Sequence, residues 1–414
     1  MERVAIIGGT RTPFVKAGSA FAKHTALDMA KHSVTSLVKK LELKPDGIDE
    51  LIYSSVLLDP RLPNFAREIV LRTDLPNSIN AHFVSNNCIS GLVALNFLSD
   101  GIKTGRIKCG IGGGVESMSL PTLTMNPKGE RWFINLSRAR SMGQKLSLLA
   151  KFRPGFLAPR PPSPKEPSTG LTMGQHMEIT AQKLAIPRAE QDKIAYNSHI
   201  NAAQAQSSNF LAEEISALDG VAQDNIIRAN TSIEKLATLK PVFERSDKGT
   251  LTAGNSSPLT DGASAVCLMS ESRAKAEGRK ILAFIEAIEF SAVDPNDGLL
   301  MAPALALPRL LRNNNLKVSD IDLFEIHEAF AAQVLANMQA WEQGFLGEAP
   351  IGRLDQSKVN INGGSIAIGH PFAATGGRLI TSLAHSLQRN GADRGVISVC
   401  AAGAMAAAVL LSKE

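Results

Sequence analysis

A chain of 414 residues is longer than one hydrophobic core ordinarily serves, so two or three domains are expected, and 44% hydrophobic against 20% charged residues excludes a disordered or fibrous chain. The formal charge of +5, from 44 Lys and Arg against 39 Asp and Glu, is scattered without a basic block, which argues against a nucleic-acid partner. The four cysteines, Cys88, Cys109, Cys267 and Cys400, form no C-x-x-C pair and have no zinc-like histidine spacing, so no metal is expected.

The chain enters Val4-Ala5-Ile6-Ile7 almost at once, which reads as a buried strand and leaves no room for a signal or transit peptide. A reducing cytoplasm is the expected compartment. Apolar runs then alternate with helical patterns: helix over 26–41, strand over 51–57, helix over 64–71, strand over 79–84, helix over 88–98 and strand over 109–113. This βαβ rhythm predicts an α/β fold. After Ser119 the rhythm breaks, and a proline-rich stretch at 154–167 precedes helical patterns over 173–185 and 188–208. An inserted loop domain accounts for it. The strand signal returns at 263–269, and a second βαβ series runs from Ile281 to the end. The expected division is therefore an N-terminal half over 1–119 completed by about 250–271, an insertion over 120–249, and a C-terminal half over 272–414. The longest apolar run, 399–411, contains Gly403 and is too short to span a bilayer, so it predicts two buried strands joined by a tight turn.

The second series echoes the first. Leu43-Lys44 followed by Ile48-Asp49 is matched by Leu316-Lys317 followed by Ile321-Asp322. The helix opening at Cys88, with Gly105 and a cysteine-bearing strand after it, parallels 375–389 with Gly391 and the Cys400 strand. Duplication of one α/β unit would bring corresponding element ends together at a pseudo-twofold axis.

Four residues at such ends could do chemistry. Cys88, in Asn86-Asn87-Cys88-Ile89-Ser90-Gly91, falls where strand gives way to helix; a cysteine in a first helical turn feels the helix dipole and free amides, which lower its pKa. The same residue could equally be a small buried side chain closing helix onto sheet. His370 follows the glycine-rich loop Asn362-Gly363-Gly364-Ser365-Ile366-Ala367-Ile368-Gly369 and precedes Pro371, a residue suited to a first helical turn. It could take a thiol's proton, or be an ordinary surface histidine. His327 follows an apolar strand and opens a helix, at a strand's carboxyl end where ligands gather in open α/β sheets; a capping or core histidine is the alternative. Cys400, before a small-residue turn, alone reads as core. Gly110-Ile111-Gly112-Gly113-Gly114-Val115 fails the dinucleotide pattern, and Gly363-Gly364-Ser365-Ile366-Ala367 misses the hydrolase elbow.

Taken in order, Cys88-Ile89-Ser90-Gly91, Gly113-Gly114-Val115-Glu116-Ser117-Met118-Ser119, His327-Glu328-Ala329-Phe330, Asn362-Gly363-Gly364 with Gly369-His370-Pro371, and Cys400 resemble the successive signatures of the thiolase family. The stretches at 142–149, 151–153 and 255–262 are similar to the thiolase β subunit of the trifunctional fatty-acid oxidation complex. The resemblance covers nearly the whole chain. It implies a duplicated βαβαβ fold in five layers, α-β-α-β-α, with an inserted loop domain, and a coenzyme A-dependent acyltransferase of fatty-acid β-oxidation with no cofactor beyond CoA as substrate. By the same likeness Cys88 carries the acyl group, His370 takes its proton and Cys400 moves the α-proton of the acetyl unit. His327 stands where many thiolases have an asparagine and would share the first oxyanion hole with His370; the backbone N–H groups of Cys88 and Ala402 would form a second. Ser257, Phe330 and Met173 would lie near the pantetheine arm or acyl group. A homodimer or homotetramer, and association with a hydratase–dehydrogenase α subunit, are also implied. The sequence departs from the family's usual glycines at Ala373, Ala402, Ala404 and Ala406.

Overall fold

The computed structural model describes residues 2–414. The first half runs β1 (Val4–Arg11), β2 (Val15–Lys16), α1 (Ala26–Lys40), β3 (Glu50–Ser54), α2 (Phe65–Leu71), β4 (Asn80–Val84), α3 (Ser90–Lys103) and β5 (Cys109–Glu116). Then come β6 (Thr124–Met125), α4 (Pro127–Arg138), α5 (Met142–Leu149), β7 (Pro159–Arg160), α6 (Met173–Lys183), α7 (Arg188–Ser207) and α8 (Ile233–Ala237). Two of these, α4 and α5, carry Asn126 and Ser141 as N-caps within a stretch that the sequence marks only as a break. The chain returns through β8 (Thr260–Ser270), α9 (Glu271–Ala276) and β9 (Ala283–Ala292). It ends with α10 (Pro303–Asn313), β10 (Leu323–Ile326), α11 (Ala331–Gln343), α12 (Ser365–Ile368), α13 (Thr375–Asn390), β11 (Arg394–Ala401) and β12 (Met405–Ser412).

The strands order as β10-β11-β12-β9-β1-β8-β5-β3-β4. In the first half-sheet β4, β3 and β5 are parallel while β5-β8-β1 is antiparallel. The second repeats this: β10 and β11 are parallel, β11-β12-β9 antiparallel, and a bridge between Phe324 and Val359 stands where the first half has its third strand. The duplication reaches single hydrogen bonds. Asp49 accepts from the backbone N–H groups of Lys108 and Cys109 (2.7 and 2.9 Å), and Asp322 from those of Asp393 and Arg394 (2.9 and 3.0 Å). Among the described residues the strand pairing between the two half-sheets runs through two pairs of β1 and β9, Ala5 with Phe284 and Ile6 with Ala283.

Three apolar clusters make the layers. Leu27, Met29, Val34 and Leu37 of α1 and Ile69 of α2 cover one face of the first half-sheet. Leu92, Leu95 and Leu98 of α3 and Leu379, Leu383 and Leu387 of α13 fill the space between the half-sheets. Leu307, Leu310, Val334 and Trp341 of α10 and α11 cover the outer face of the second. The result is the α-β-α-β-α stack, with α3 and α13 as its inner layer. These two helices approach so closely that a Cβ at Gly91 would lie 2.5 Å from the carbonyl oxygen of Ala373, a distance only glycine avoids.

A buried ion cluster ties the layers together. The Arg11 guanidinium of β1 donates to Glu214 (2.7 Å) and, with two nitrogens, to Asp224 (2.6 and 2.8 Å); Ser382 of α13 donates to Glu214 (2.7 Å). Burial opposes the charge on Arg11, but the two carboxylates outweigh it and raise its pKa. Removing one member would strand an uncompensated charge, a loss of about 3–5 kcal/mol.

Candidate active site

Cys88 lies two residues before the first residue of α3, whose N-cap is Ile89. The helix therefore starts later than the sequence suggests, and Cys88 is not in its first turn. Asn87 is not the cap but adopts a left-handed φ of 50°, which asparagine tolerates better than most residues. Its side-chain amide donates to the carbonyl of Ala402 (3.0 Å), pinning the β11–β12 turn to the cysteine. The pKa of Cys88 is also opposite to expectation. Burial around the thiol dominates and pushes it up to about 12; N–H groups of Ala402 and of Cys88 itself oppose this, and the nearby Glu116 carboxylate adds to it. Without a first-turn position, the helix dipole has little purchase on this sulfur.

Cys400 is the penultimate residue of β11 and is buried. Its thiol is raised well above the ordinary value by burial and then by the charge of Cys88, and the Asn87–Ala402 bond ties the segment holding Cys88 to the turn after Cys400. The following turn places Gly403 and Ala404 in the left-handed region, at φ 75° and 56°. Glu166, from the inserted segment, accepts the N–H of Gly403 (3.0 Å) and fixes the turn from outside.

His327 follows β10, and its backbone N–H donates to Ser398 of β11 (2.8 Å), two residues before Cys400. It does not open a helix, since α11 begins at Ala331. His370 lies between α12 and a single 3-10 turn at Phe372–Ala374 that leads into α13; Pro371 caps that turn and does not sit inside it. The two imidazoles face each other with centroids 4.1 Å apart. Nδ1 of His370 is 2.7 Å from Oγ1 of Thr375, and Nδ1 of His327 is 2.9 Å from Oγ of Ser365. The Nε2 atom of His327 is buried without a partner among the described residues. Burial and then Arg378 lower His370 to about 3; burial, then His370 and Arg378, hold His327 well below its usual value. Both rings are neutral at physiological pH.

Glu116, quoted within a motif but given no role from sequence, turns out to brace the site. At the end of β5 its carboxylate accepts from Ser55 Oγ (2.8 Å) and from the backbone N–H groups of Val56 (3.0 Å), Leu57 (2.9 Å) and Ala373 (3.2 Å). It so joins the β3 exit to the segment after His370. Burial pushes it up to about 7, against these donors. Under the histidines, α7 reaches in from the insertion: Ser198 donates to Glu328 (2.7 Å) and accepts from the N–H of Gly364 (3.1 Å). At Gly363 φ is 84° and a Cβ would lie 2.5 Å from that of Ala202, so the loop can pass α7 only as glycine. The other named residues gather nearby. Ser257 bonds Ala329 through its N–H (2.9 Å) and its hydroxyl (3.0 Å), Ser256 bridges Phe330, and Phe330 meets Phe243 edge to face at 5.7 Å. Met173, the first residue of α6, packs against the apolar cluster that includes Phe330 and Cys400.

Two cysteines and two neutral imidazoles gathered about the end of β11, on a duplicated five-layer core, are the equipment of an enzyme that transfers acyl groups through a cysteine. The N-terminal thiolase domain matches residues 4–272 and the C-terminal thiolase domain residues 279–413. The chain belongs to the thiolase family. It is 43% identical to the 3-ketoacyl-CoA thiolase of Shewanella piezotolerans, covering 100% of this chain and 97% of that one, and 42% identical to that of Shewanella halifaxensis at the same coverage. Among solved structures, the acetyl-CoA acetyltransferase of Bacillus anthracis superposes with a TM-score of 0.86 at 30% identity, covering 100% of this chain and 99% of that one. The human mitochondrial 3-ketoacyl-CoA thiolase in complex with CoA gives 0.85 at 28% identity, covering 100% and 98%.

Proposed function

We propose that the protein cleaves 3-ketoacyl-CoA with coenzyme A to acetyl-CoA and a shortened acyl-CoA, and runs the reverse condensation, through an acyl group carried on Cys88. The observation that carries this reading is the convergence on the end of β11: Asn87, next to Cys88, bonds Ala402, two residues after Cys400, and His327, paired with His370, bonds Ser398, two residues before it.

In the cleavage direction His370 takes the Cys88 proton as the sulfur attacks the 3-keto carbon. With the thiol high and the imidazole low, no thiolate stands ready; the proton moves as the bond forms. The N–H groups of Cys88 and Ala402 receive the oxyanion of the tetrahedral adduct. Breaking the carbon–carbon bond releases the acetyl-CoA enolate, whose oxygen is held by His327 and His370 and whose carbon takes a proton from Cys400. Incoming CoA gives its proton to the Cys400 thiolate and attacks the acyl-Cys88 thioester, freeing the shortened acyl-CoA, while His370 returns the proton it took to the departing Cys88 sulfur. Each oxyanion donor typically contributes about 3 kcal/mol to such a step. Ser257, Phe330 and Met173 flank the pantetheine arm or acyl chain.

The β-oxidation role follows from the names of the Shewanella relatives and from His327 in place of asparagine. A homodimer or homotetramer, a partner hydratase–dehydrogenase α subunit and a cytoplasmic location complete the reading. No helix of the described residues is long and apolar enough to cross a membrane. The test is intact mass after mixing with an acyl-CoA, with Cys88→Ala as control, alongside CoA-dependent cleavage of 3-ketoacyl-CoAs from short to long. A gain of one acyl group on Cys88 and chain shortening are expected. An unchanged mass would favour a protein that only docks acyl-CoA, and cleavage confined to acetoacetyl-CoA would favour the biosynthetic alternative.

A further inference from the structure

Two neutral histidines side by side can do different jobs only if their protons sit on the right nitrogens, and the structure contains a device for this beneath His327. Ser365, the first residue of α12, is fully buried. Its Oγ lies 2.9 Å from Nδ1 of His327 and 3.1 Å from Nη2 of Arg378. A guanidinium can only donate, so Ser365 accepts from Arg378. The hydroxyl proton then has one acceptor among the described residues, the lone pair of His327 Nδ1. The reverse arrangement would place two donors on Ser365 and leave its own buried proton without a partner, which costs about 1–3 kcal/mol. A neutral His327 with Nδ1 accepting carries its proton on Nε2, the atom that has no protein partner. Arg378 is itself anchored, with Nη1 3.5 Å from the buried Glu325 carboxylate of β10.

The second ring has no such cation behind its hydroxyl. Thr375 Oγ1 lies 2.7 Å from Nδ1 of His370, and the carbonyl of Pro371, at 3.5 Å, is beyond the reach of a normal hydroxyl bond. The polarity of a hydroxyl under an imidazole is set by what stands behind it, and behind Ser365 stands a cation.

We propose that Arg378–Ser365 is a positioning relay, which fixes His327 as an Nε2–H donor before substrate arrives. The relay assignment rests on the reading of the site given above only for its use in catalysis; the proton positions stand or fall by themselves.

The wild-type protein labelled with 15N-histidine tests this directly by imidazole nitrogen–proton correlation, with His327→Asn and His370→Asn assigning the signals. The expected pattern for His327 is protonated Nε2 and bare Nδ1. A proton on Nδ1 of His327 would overturn the proposal, whatever any variant does. Ser365→Ala should shift His327 toward a tautomer mixture and lower kcat by about 10- to 100-fold with KM little changed. In the His327→Asn background the same substitution should change kcat less than threefold, because an amide donor has no tautomer to choose; a full loss there would mean that Ser365 acts only by packing and would overturn the relay. If the nitrogen pattern is as expected but His327→Asn and Ser365→Ala leave turnover intact, the relay stands and the donor role given to His327 fails.

Discussion

His327 and His370 lie ring against ring, 4.1 Å between centroids, yet each rests its Nδ1 on a hydroxyl from a different element, Ser365 of α12 and Thr375 of α13. With ring planes tilted by 51° and centroids this close, a charge on one imidazole opposes a charge on the other, and burial keeps each neutral until chemistry begins.

Replacing each ring should therefore injure a different half of the reaction. His370→Ala is expected to slow acylation of Cys88 by an acyl-CoA about 100-fold or more, the usual worth of a positioned base. His327→Ala should leave acylation nearly intact and slow the carbon–carbon step by about 100-fold. Rapid-quench measurement of acyl-enzyme, beside steady-state cleavage, separates the two; equal losses in both assays would refute the division.

Cys400→Ala should still acquire an acyl group on Cys88 and should lose condensation. Under the proposed mechanism Cys400 is the group that exchanges a proton with the acetyl carbon. Mass spectrometry reads the first property and acetyl-CoA condensation the second. Condensation at the parent rate would remove Cys400 from the mechanism.

The raised thiol of Cys88 sets a pH dependence. With the pKa near 12, the thiolate fraction grows tenfold for each pH unit through neutrality. Alkylation by iodoacetamide, followed in the free enzyme between about pH 6 and 9, should rise log-linearly with a slope near 1. A rate that levels off below pH 8 would reveal a preformed thiolate–imidazolium pair.

Ala404 carries a methyl group in a conformation that L-residues adopt at a cost of about 1–2 kcal/mol. Ala404→Gly should raise the thermal midpoint slightly, by relief of up to about 1 kcal/mol, and leave turnover near the parent level. A lower midpoint would show that buried contacts of this methyl outweigh its backbone strain.

The architecture was legible because both halves keep their periodicity: Val4 to Ile7, the strands ending near Val84 and Gly113, and the repeated Leu-Lys and Ile-Asp pairs all fall where the fold places them. Helix entrances were less so. The starts expected at Cys88 and His327 move to Ser90 and Ala331, since the intervening residues bend to reach the pocket, and no propensity reports a bend imposed by tertiary contact. The dipole argument for Cys88 failed with its helix position. Glu116, Ser365, Thr375 and Arg378 were hidden for another reason. Glu116 and Ala373 are 257 residues apart and Ser365 and His327 are 38 apart, while the five-residue step from His370 to Thr375 and the thirteen-residue step from Ser365 to Arg378 cross irregular backbone; such pairing leaves no local pattern. A charged residue closing an otherwise small and apolar strand, as Glu116 does, was the one available signal.

The seam between the half-sheets is two residue pairs wide, and the nucleophile and its base enter from opposite sides of it. Under the proposed roles neither half of the chain is a diminished enzyme; each is none at all. During synthesis the thiol emerges nearly three hundred residues ahead of the imidazole. A ribosome-bound or truncated chain therefore displays a cysteine still lacking its proton acceptor, and reactivity toward thioesters begins only when the last layer closes.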